Sequence, residues 1–239
     1  MRDTRILVIT GAGVSAESGI PTFRGRDGYW RNLDPAKLAT PEAFAAEPKL
    51  VWDWYRERRG RIRAASPNAA HQAIDRLSAA GLDFLLVTQN VDNLHARSGV
   101  PAERMVQIHG DIFVTRCALC DFQYREDSTD AENLPKCARC GSLMRPGVVW
   151  FGEQLNPREL SRVERFMERG SCDVVMVVGT TAMFGYIVEW AVRAAGTHGR
   201  LIEVNLEATS FSQLAHESIR QPAGAALPRI VEDLLGPSL

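Results

Sequence analysis

Four short apolar runs, Arg5–Thr10, Phe84–Gln89, Val174–Gly179 and Leu201–Asn205, constrain the fold more than any other feature of this chain. Each is rich in β-branched residues or leucine and is bounded by Gly, Asn or Thr, which is the pattern of a strand buried on both faces. Between them lie segments with helical spacing, Asn68–Ala80, Pro157–Arg169 and Tyr186–Ala195, stopped by Gly81, Gly170 and Gly196. Strands alternating with helices predict an α/β fold, a doubly wound parallel sheet of Rossmann-like type. Two stretches break this rhythm. Residues 31–65 hold a Pro- and aromatic-containing segment and then an Arg-rich helix; residues 114–148 carry two CxxC pairs and little periodicity. The expected organisation is therefore a sheet domain made of 1–30, 66–113 and 149–239. Into it is inserted a smaller lobe made of 31–65, a helical module, and 114–148, a four-cysteine zinc module.

Composition narrows the function classes. With 239 residues, 45% of them hydrophobic, the chain buries enough surface to fold without a metal, so a metal must serve a local purpose. Lys+Arg 28 against Asp+Glu 29 gives a net charge of −1, without the positive excess that phosphate backbones select, so no nucleic-acid partner is expected. No run approaches the ~20 apolar residues that span a bilayer. MRDTRILVIT passes directly into a strand without a targeting leader, so the expectation is a cytoplasmic protein with no membrane partner.

Four motifs carry chemistry. In the first, RILVIT runs into Gly11-Ala12-Gly13-Val14-Ser15-Ala16. This matches GxGxx(G/A) at a strand-to-helix turn, with Gly11 for the tight turn, Gly13 for close approach to a pyrophosphate and small Ala16 for close packing. A hydride-transferring dehydrogenase needs a second strand ending in an acidic ribose ligand. Here the chain enters Pro21-Thr22-Phe23-Arg24-Gly25 instead, which argues against that activity. The second motif is Thr88-Gln89-Asn90-Val91-Asp92-Asn93-Leu94-His95 at the carboxyl end of a strand, placed to hydrogen-bond a ribose or an amide; Asp92 or Asn93 could equally cap the helix that follows. The third is His109, after the apolar MVQI, a candidate general base. The fourth is Cys117-x-x-Cys120, 16 residues, Cys137-x-x-Cys140. This spacing supplies four thiolates to one tetrahedral Zn²⁺ with no position left for water, a structural metal. Cys172 is left over as a packing residue, and His71 is expected to pack inside its helix.

These elements in this order resemble the sirtuin (Sir2) family of NAD-dependent protein-lysine deacylases. The resemblance runs from GAGVSAESGIPTFRG through TQNVDNLH, His109-Gly110 and the two CxxC pairs to RPGVVWFGE, VVGTT and LPRIVEDL. It implies that NAD⁺ is consumed as co-substrate and that the acyl group of a modified protein lysine is transferred to ADP-ribose, releasing nicotinamide and 2′-O-acyl-ADP-ribose. By the same resemblance His109 is the base, Asn90 and Asp92 hold the ribose and nicotinamide, and Gln89 and Val91 line the ribose. Gly11, Ala12, Gly13, Ser15, Ala16, Phe23, Arg24, Tyr29 and Trp30 contact the cofactor. Gly179, Thr180, Thr181, Asn205, Leu206, Glu207 and Ala223 lie at its adenosine end. Val148, Trp150, Phe151 and Gly152 form a staple on which an extended acyl-lysine peptide adds as a strand.

One further detail bears on the acyl group. Tyr55 and Arg58 are three apart and share a helix face. They are similar to the Tyr-x-x-Arg pair of desuccinylase-type sirtuins, whose FRG-xxxGYW stretch is also matched by Phe23–Trp30. This implies removal of succinyl- or malonyl-type groups as well as acetyl, by a monomeric enzyme. Plain deacetylation, mono-ADP-ribosyl transfer and, from another class, a nucleic-acid-binding zinc ribbon are the alternatives. A solvated basic face, with Arg56, Arg59, Arg61 and Arg63 nearby, is the bland reading of the same helix. The stretch Thr180-Thr181-Ala182-Met183-Phe184-Gly185-Tyr186 departs from the family pattern, in which Ser follows Gly-Thr and a Tyr-Pro pair comes a few residues later.

Overall fold

The apolar runs become the centre of one parallel sheet. The computed structural model describes residues 4–22, 34–125 and 133–236. Among these, β1 (Arg5–Thr10), β2 (Asp83–Thr88), β3 (Met105–Gln107), β7 (Val174–Val178), β8 (Arg200–Val204) and β9 (Glu217–Ile219) pair in the order β3-β2-β1-β7-β8-β9. Every pairing is parallel, and Thr10 stands level with Thr88 on one side and Val178 on the other. The order runs outward from β1 in both directions. Its carboxyl edge is therefore a topological switch point, where ligands of open α/β sheets bind.

Side-chain alternation sends each strand's residues to two apolar layers. On one face Ile6, Val8, Leu86, Met176 and Ile202 pack against α5 (Ala69–Ala79) and α9 (Ala223–Leu235), through Ile74, Leu77, Leu227 and Val231. On the other, Leu7, Ile9, Val87, Val175 and Val177 pack against α7 (Pro157–Glu168) and α8 (Gly185–Ala195), through Val163, Phe166, Ile187 and Trp190. The helices begin where the sequence caps them. Asn68 accepts from the N–H groups of Ala70 and His71 at the start of α5, and Asn156 accepts from Arg158 ahead of Pro157 at the start of α7.

The smaller lobe has two parts. Pro35–Leu38 (α2), Pro41–Ala46 (α3) and Pro48–Ala64 (α4) bury Phe44, Val51, Trp52, Trp54, Tyr55 and Ile62 in a cluster shared with Ile112, Phe113, Val148 and Trp150. The four-cysteine stretch is not merely loop. Gly110–Cys117 (β4), Gln123–Arg125 (β5) and Met144–Val148 (β6) form an antiparallel sheet in the order β5-β4-β6, with a register irregularity between Gly110 and Thr115. Leu94–Ser98 (α6) and Gly13–Ala16 (α1) complete the elements that border the site. No helix among the described residues is long and apolar enough to cross a membrane.

Arg59 is not on a solvated face. It is 1% exposed, donates to the carbonyls of Ile112 and Val114 and to Thr115 Oγ1, and so ties α4 to β4. A buried guanidinium requires this many acceptors.

Candidate active site

The turn after β1 is tight for a reason that involves a partner strand. Gly11 and Gly13 donate their N–H groups to the carbonyls of Val178 (3.0 Å) and Gly179 (2.8 Å). A Cβ on Gly13 would lie 2.7 Å from Gly179 Cα, and one on Gly179, at φ +61°, would lie 2.5 Å from Val14 N. Gly13 is thus in close backbone contact with Gly179. The helix that follows is a single turn, so its dipole is smaller than that of a full-length helix. Ala16, expected to permit close packing, is exposed; Val14 and Ser15 are the buried residues of the turn.

Around this turn the polar side chains interlock. Ser15 Oγ donates to Asp92 Oδ2 at 2.6 Å and accepts from Asn90 Nδ2 at 3.2 Å. The second Asn90 N–H goes to the Gly11 carbonyl at 3.0 Å. Asp92 Oδ1 accepts from Leu94 N. Asp92 thus ties the turn to the first residue of α6, whose N-cap position is Asn93. Burial raises its carboxyl above the usual range, opposed by the Ser15 and Leu94 hydrogen bonds and by the charge of Arg58. Behind this layer, Thr10 Oγ1 donates to Thr88 Oγ1 and meets His95 Nε2 at 3.1 Å, while the His71 and His95 rings lie 4.7 Å apart. Burial lowers both imidazoles, His71 to about 4. His71 also closes a capping box with Asn68, an additional reason for its buried place.

Gln89 bridges toward the other half of the sheet, donating to Thr180 Oγ1 at 3.0 Å and to the Thr10 carbonyl at 3.2 Å. Asn205 Nδ2 donates to the Thr180 carbonyl at 2.7 Å, and its Oδ1 accepts from Leu206 N. Gly179, Thr180, Thr181 and Asn205 thus meet at the carboxyl ends of β7 and β8. Leu206 and Glu207 lie on the exposed rim, and Ala223 is buried at the first turn of α9.

His109 follows β3. Its Nδ1 lies 3.0 Å from the Gln89 carbonyl, which can only accept, so Nδ1 carries the proton. Nε2 is then the basic nitrogen, and it meets the Tyr186 hydroxyl at 2.7 Å. Burial lowers the imidazole below its ordinary value, partly offset by the Gln89 hydrogen bond. Tyr186 was not among the expected site residues. Its one sequence signal is that it falls in the stretch that departs from the family pattern.

On α4, Tyr55 is buried and its oxygen accepts from Trp150 Nε1 at 2.9 Å. The Arg58 guanidinium lies 4.9 Å over Trp54 and 5.7 Å from the Tyr55 ring, near enough to Asp92 for each charge to bias the other's ionisation. Tyr55 and Arg58 therefore belong to a packed wall that faces the polar cluster. The Trp150 side chain is 2% exposed and packs in the cluster of the helical module, with the Arg145 guanidinium against its ring. Phe151, by contrast, is 46% exposed. The N–H of Val149 donates to the His109 carbonyl and that of Phe151 to the Ala39 carbonyl, so Val148–Gly152 is strung between His109 and the helical module. Phe23, Arg24, Tyr29 and Trp30 lie outside the described residues.

The four cysteines converge as their spacing requires. Cys117 and Cys140 sulfurs are 3.5 Å apart, Cys120 and Cys137 sulfurs 3.6 Å, and all four lie within 4.8 Å of one another. Four thiolates on a tetrahedral zinc at about 2.3 Å stand about 3.8 Å apart, so the donor set fits that ion. The N–H groups of Leu119, Cys120 and Arg139 point at the Cys117 and Cys137 sulfurs at 3.4 Å, a second shell suited to thiolate charge.

Comparison with known proteins agrees with this geometry. The model of the family described as "Sir2 family" matches residues 11–184. An NAD-dependent protein deacylase of Pyrococcus abyssi is 44% identical over 236 residues, covering 95% of this chain and 92% of that protein. NAD-dependent protein deacylase 1 of Archaeoglobus fulgidus is 44% identical over 227 residues, covering 95% and 91%. Among solved structures, a Sir2 homologue in complex with NAD superposes with a TM-score of 0.90 at 43% identity, covering 98% of this chain and 91% of that one. A mutant Sir2 homologue bound to 2′-O-acetyl ADP ribose gives 0.90 at 42%, covering 99% and 95%.

Proposed function

The chain belongs to the Sir2 family, and from that premise we propose that it is an NAD⁺-dependent protein-lysine deacylase whose acyl pocket reads a terminal carboxylate. The observation that carries the acyl preference is the Tyr55–Arg58 wall. Trp150 donates to the Tyr55 oxygen, so the Tyr55 proton is left to donate elsewhere, and Arg58 stacks on Trp54 with its charge toward Asp92. A phenol and a guanidinium offered together suit the carboxylate of a succinyl or malonyl group, while an acetyl group passes without using either.

The roles of the remaining residues follow from what each has left to offer. Both Asn90 N–H groups are spent on Gly11 and Ser15, which leaves its carbonyl oxygen to accept from a ribose hydroxyl or a carboxamide. Asp92 keeps further lone pairs beside it, and Gln89 and Val91 border the ribose. His109, held as the Nδ1–H tautomer, takes the ribose hydroxyl proton at Nε2, so that the ribose oxygen attacks the acyl-derived carbon. By resemblance to the family, Phe23, Arg24, Tyr29 and Trp30 are assigned to contact the cofactor, with Phe23 excluding water. Gly11, Ala12, Gly13, Ser15 and Ala16 bracket the phosphates; Gly179, Thr180, Thr181, Asn205, Leu206, Glu207 and Ala223 receive the adenosine end.

An extended peptide lies along Val148, Trp150, Phe151 and Gly152 through main-chain bonds and through the exposed Phe151, in keeping with a Sir2 structure solved with a p53 peptide and NAD⁺ (28% identity, TM-score 0.82). Cys117, Cys120, Cys137 and Cys140 hold a structural zinc whose contribution is to fold β4–β6. We assign 1–30, 66–113 and 149–239 to the cofactor-binding domain and 31–65 with 114–148 to the smaller lobe. The enzyme works as a cytoplasmic monomer on acyl-lysine proteins and not on nucleic acid or membranes.

The test is mass-spectrometric turnover of matched acetyl-lysine and succinyl-lysine peptides with NAD⁺ by wild type and Arg58→Met. We expect Arg58→Met to lose about ten- to hundredfold in succinyl kcat/KM, the range of a charge-assisted pairing, with acetyl turnover within about threefold. Turnover of acetyl-lysine alone, unchanged by Arg58→Met, means a plain deacetylase; ADP-ribose retained on protein means a transferase. Either result overturns the carboxylate reading.

A further inference from the structure

The reading of His109 as base leaves one contact unexplained. Nε2 of a neutral imidazole has a single lone pair, and the Tyr186 hydroxyl lies on it at 2.7 Å. Tyr186 is held there by aromatic neighbours. Phe184 stacks on it at 5.5 Å and 13°, Trp190 lies 5.0 Å away, and Phe184 also meets His109 edge-on at 5.6 Å and 72°. Phe184 is 39% exposed and Met183 is 81% exposed, so the exposed end of the stretch joining β7 to α8 runs into the first turn of α8, from which Tyr186 turns its hydroxyl onto His109. Burial pushes the phenol up to about 12, so it stays protonated and can only be the donor to a neutral imidazole.

We propose that Tyr186 is a positioning residue that caps the catalytic nitrogen of His109 and is displaced by the ribose hydroxyl when NAD⁺ and acyl-lysine bind. Resting on the assignment of His109 as base, this adds a competitor built into the chain. Two donors cannot share the one lone pair, so the ribose hydroxyl binds only as Tyr186 leaves. In return the cap keeps the ring in the tautomer the reaction needs, Nδ1–H on Gln89 and Nε2 bare of a proton. No bond to carbon is made or broken by Tyr186. Its proton stays on the phenol, which turns with Phe184 away from the ring.

The experiment uses the full chain, uniformly ¹⁵N-labelled at histidine, as wild type and Tyr186→Phe, which keeps the ring and its stacking. We expect the His109 Nε2 resonance of wild type to carry the shift of a hydrogen-bonded acceptor and that of Tyr186→Phe to move toward the value of a bare lone pair. We also expect KM for NAD⁺ to fall two- to tenfold in the variant with kcat within about twofold, the size of one net hydrogen bond removed from the competing state. A fluorinated tyrosine at position 186, a stronger donor, should move both readouts the opposite way, and it serves as well if Tyr186→Phe folds poorly. An Nε2 resonance unmoved by Tyr186→Phe overturns the proposal. So does a fall in kcat with KM unchanged, which would put the hydroxyl on the proton path. His109→Ala separates the two levels: if it keeps its turnover, the assignment of the base fails, while the nitrogen resonance still decides the contact.

Discussion

Two places in this molecule hold atoms in a fixed arrangement, and they do it by opposite means. The turn Gly11–Ala16 is clamped between two halves of a sheet with apolar layers on both faces. Its geometry is set by backbone contact with Gly179 and by the Ser15–Asn90–Asp92 bonds. Among the described residues, the cysteine end of the small sheet has little interior of its own. Its buried cluster is Cys117, Cys137 and Met144, with Cys120, Phe122 and Tyr124 packed beside them, and β5 is three residues long. Burial orders the first; the second is too small to be ordered by burial and needs a bond to metal. Precision at an active site and shape in a lobe thus come from different parts of the free energy, and different perturbations should reach them.

The largest expected effect is metal removal. A structural zinc contributes on the order of 10 kcal/mol or more to the fold of a small module. Dialysis against a strong chelator, or Cys117→Ser, should therefore unfold β4–β6 while the parallel sheet persists. Hydrogen exchange followed by peptide would show protection lost over 110–148 and kept over 5–10 and 174–178. Equal loss in both regions would mean that the two are one cooperative unit.

The second effect reverses the direction of attack. A Cβ on Gly179 would meet backbone that cannot yield, at a positive φ; one on Gly141, at φ +74°, meets nothing within 4 Å. Gly179→Ala should cost about 3–5 kcal/mol, overpacking added to strain, against about 1 kcal/mol for Gly141→Ala. Chemical denaturation of the zinc-loaded proteins measures both. Similar costs would show that the turn is no tighter than a surface loop.

The same contrast explains what could be read in the sequence. The parallel sheet was legible because burial on both faces leaves a long apolar signature and because Asn68, Asn156 and the stopping glycines mark helix ends. The zinc set was legible because ligand spacing is local. The three-stranded sheet was not: β5 is too short to show a period, and β4 is broken by a register shift. The burial of Arg59 and Trp150 was not legible because nothing local reports that three acceptors on β4, or the hydroxyl of Tyr55, will meet them. That a Cβ on Gly13 would also meet Gly179 was not legible, because Gly179 is far along the chain. The contact between His109 and Tyr186 spans 77 positions and involves a residue type that no motif demanded. Motifs, in short, name the groups that touch ligand, and tertiary packing decides which of their atoms are still free to do so.

The smallest of these effects is a dependence on acid that should be confined to the sheet domain. His71 is buried neutral beside Ser15, with its imidazole lowered to about 4 by desolvation, and His95 is held well below its ordinary value by burial and by His71. In the unfolded chain both titrate near 6.5. Between those values the unfolded state binds more protons than the folded one, so stability is fully present above about pH 6.5 and falls as the pH drops toward 4. His71 alone accounts for a loss on the order of 2–3 kcal/mol over that window. His71→Gln, which keeps a polar side chain at the capping box, should flatten the acid limb of a plot of unfolding free energy against pH. Acid also protonates zinc thiolates, so the readout must be exchange protection of α5 rather than whole-chain melting. If protection of 69–79 falls with pH identically in wild type and His71→Gln, acid enters through the cysteine module after all, and the sheet domain owes its sensitivity to its neighbour.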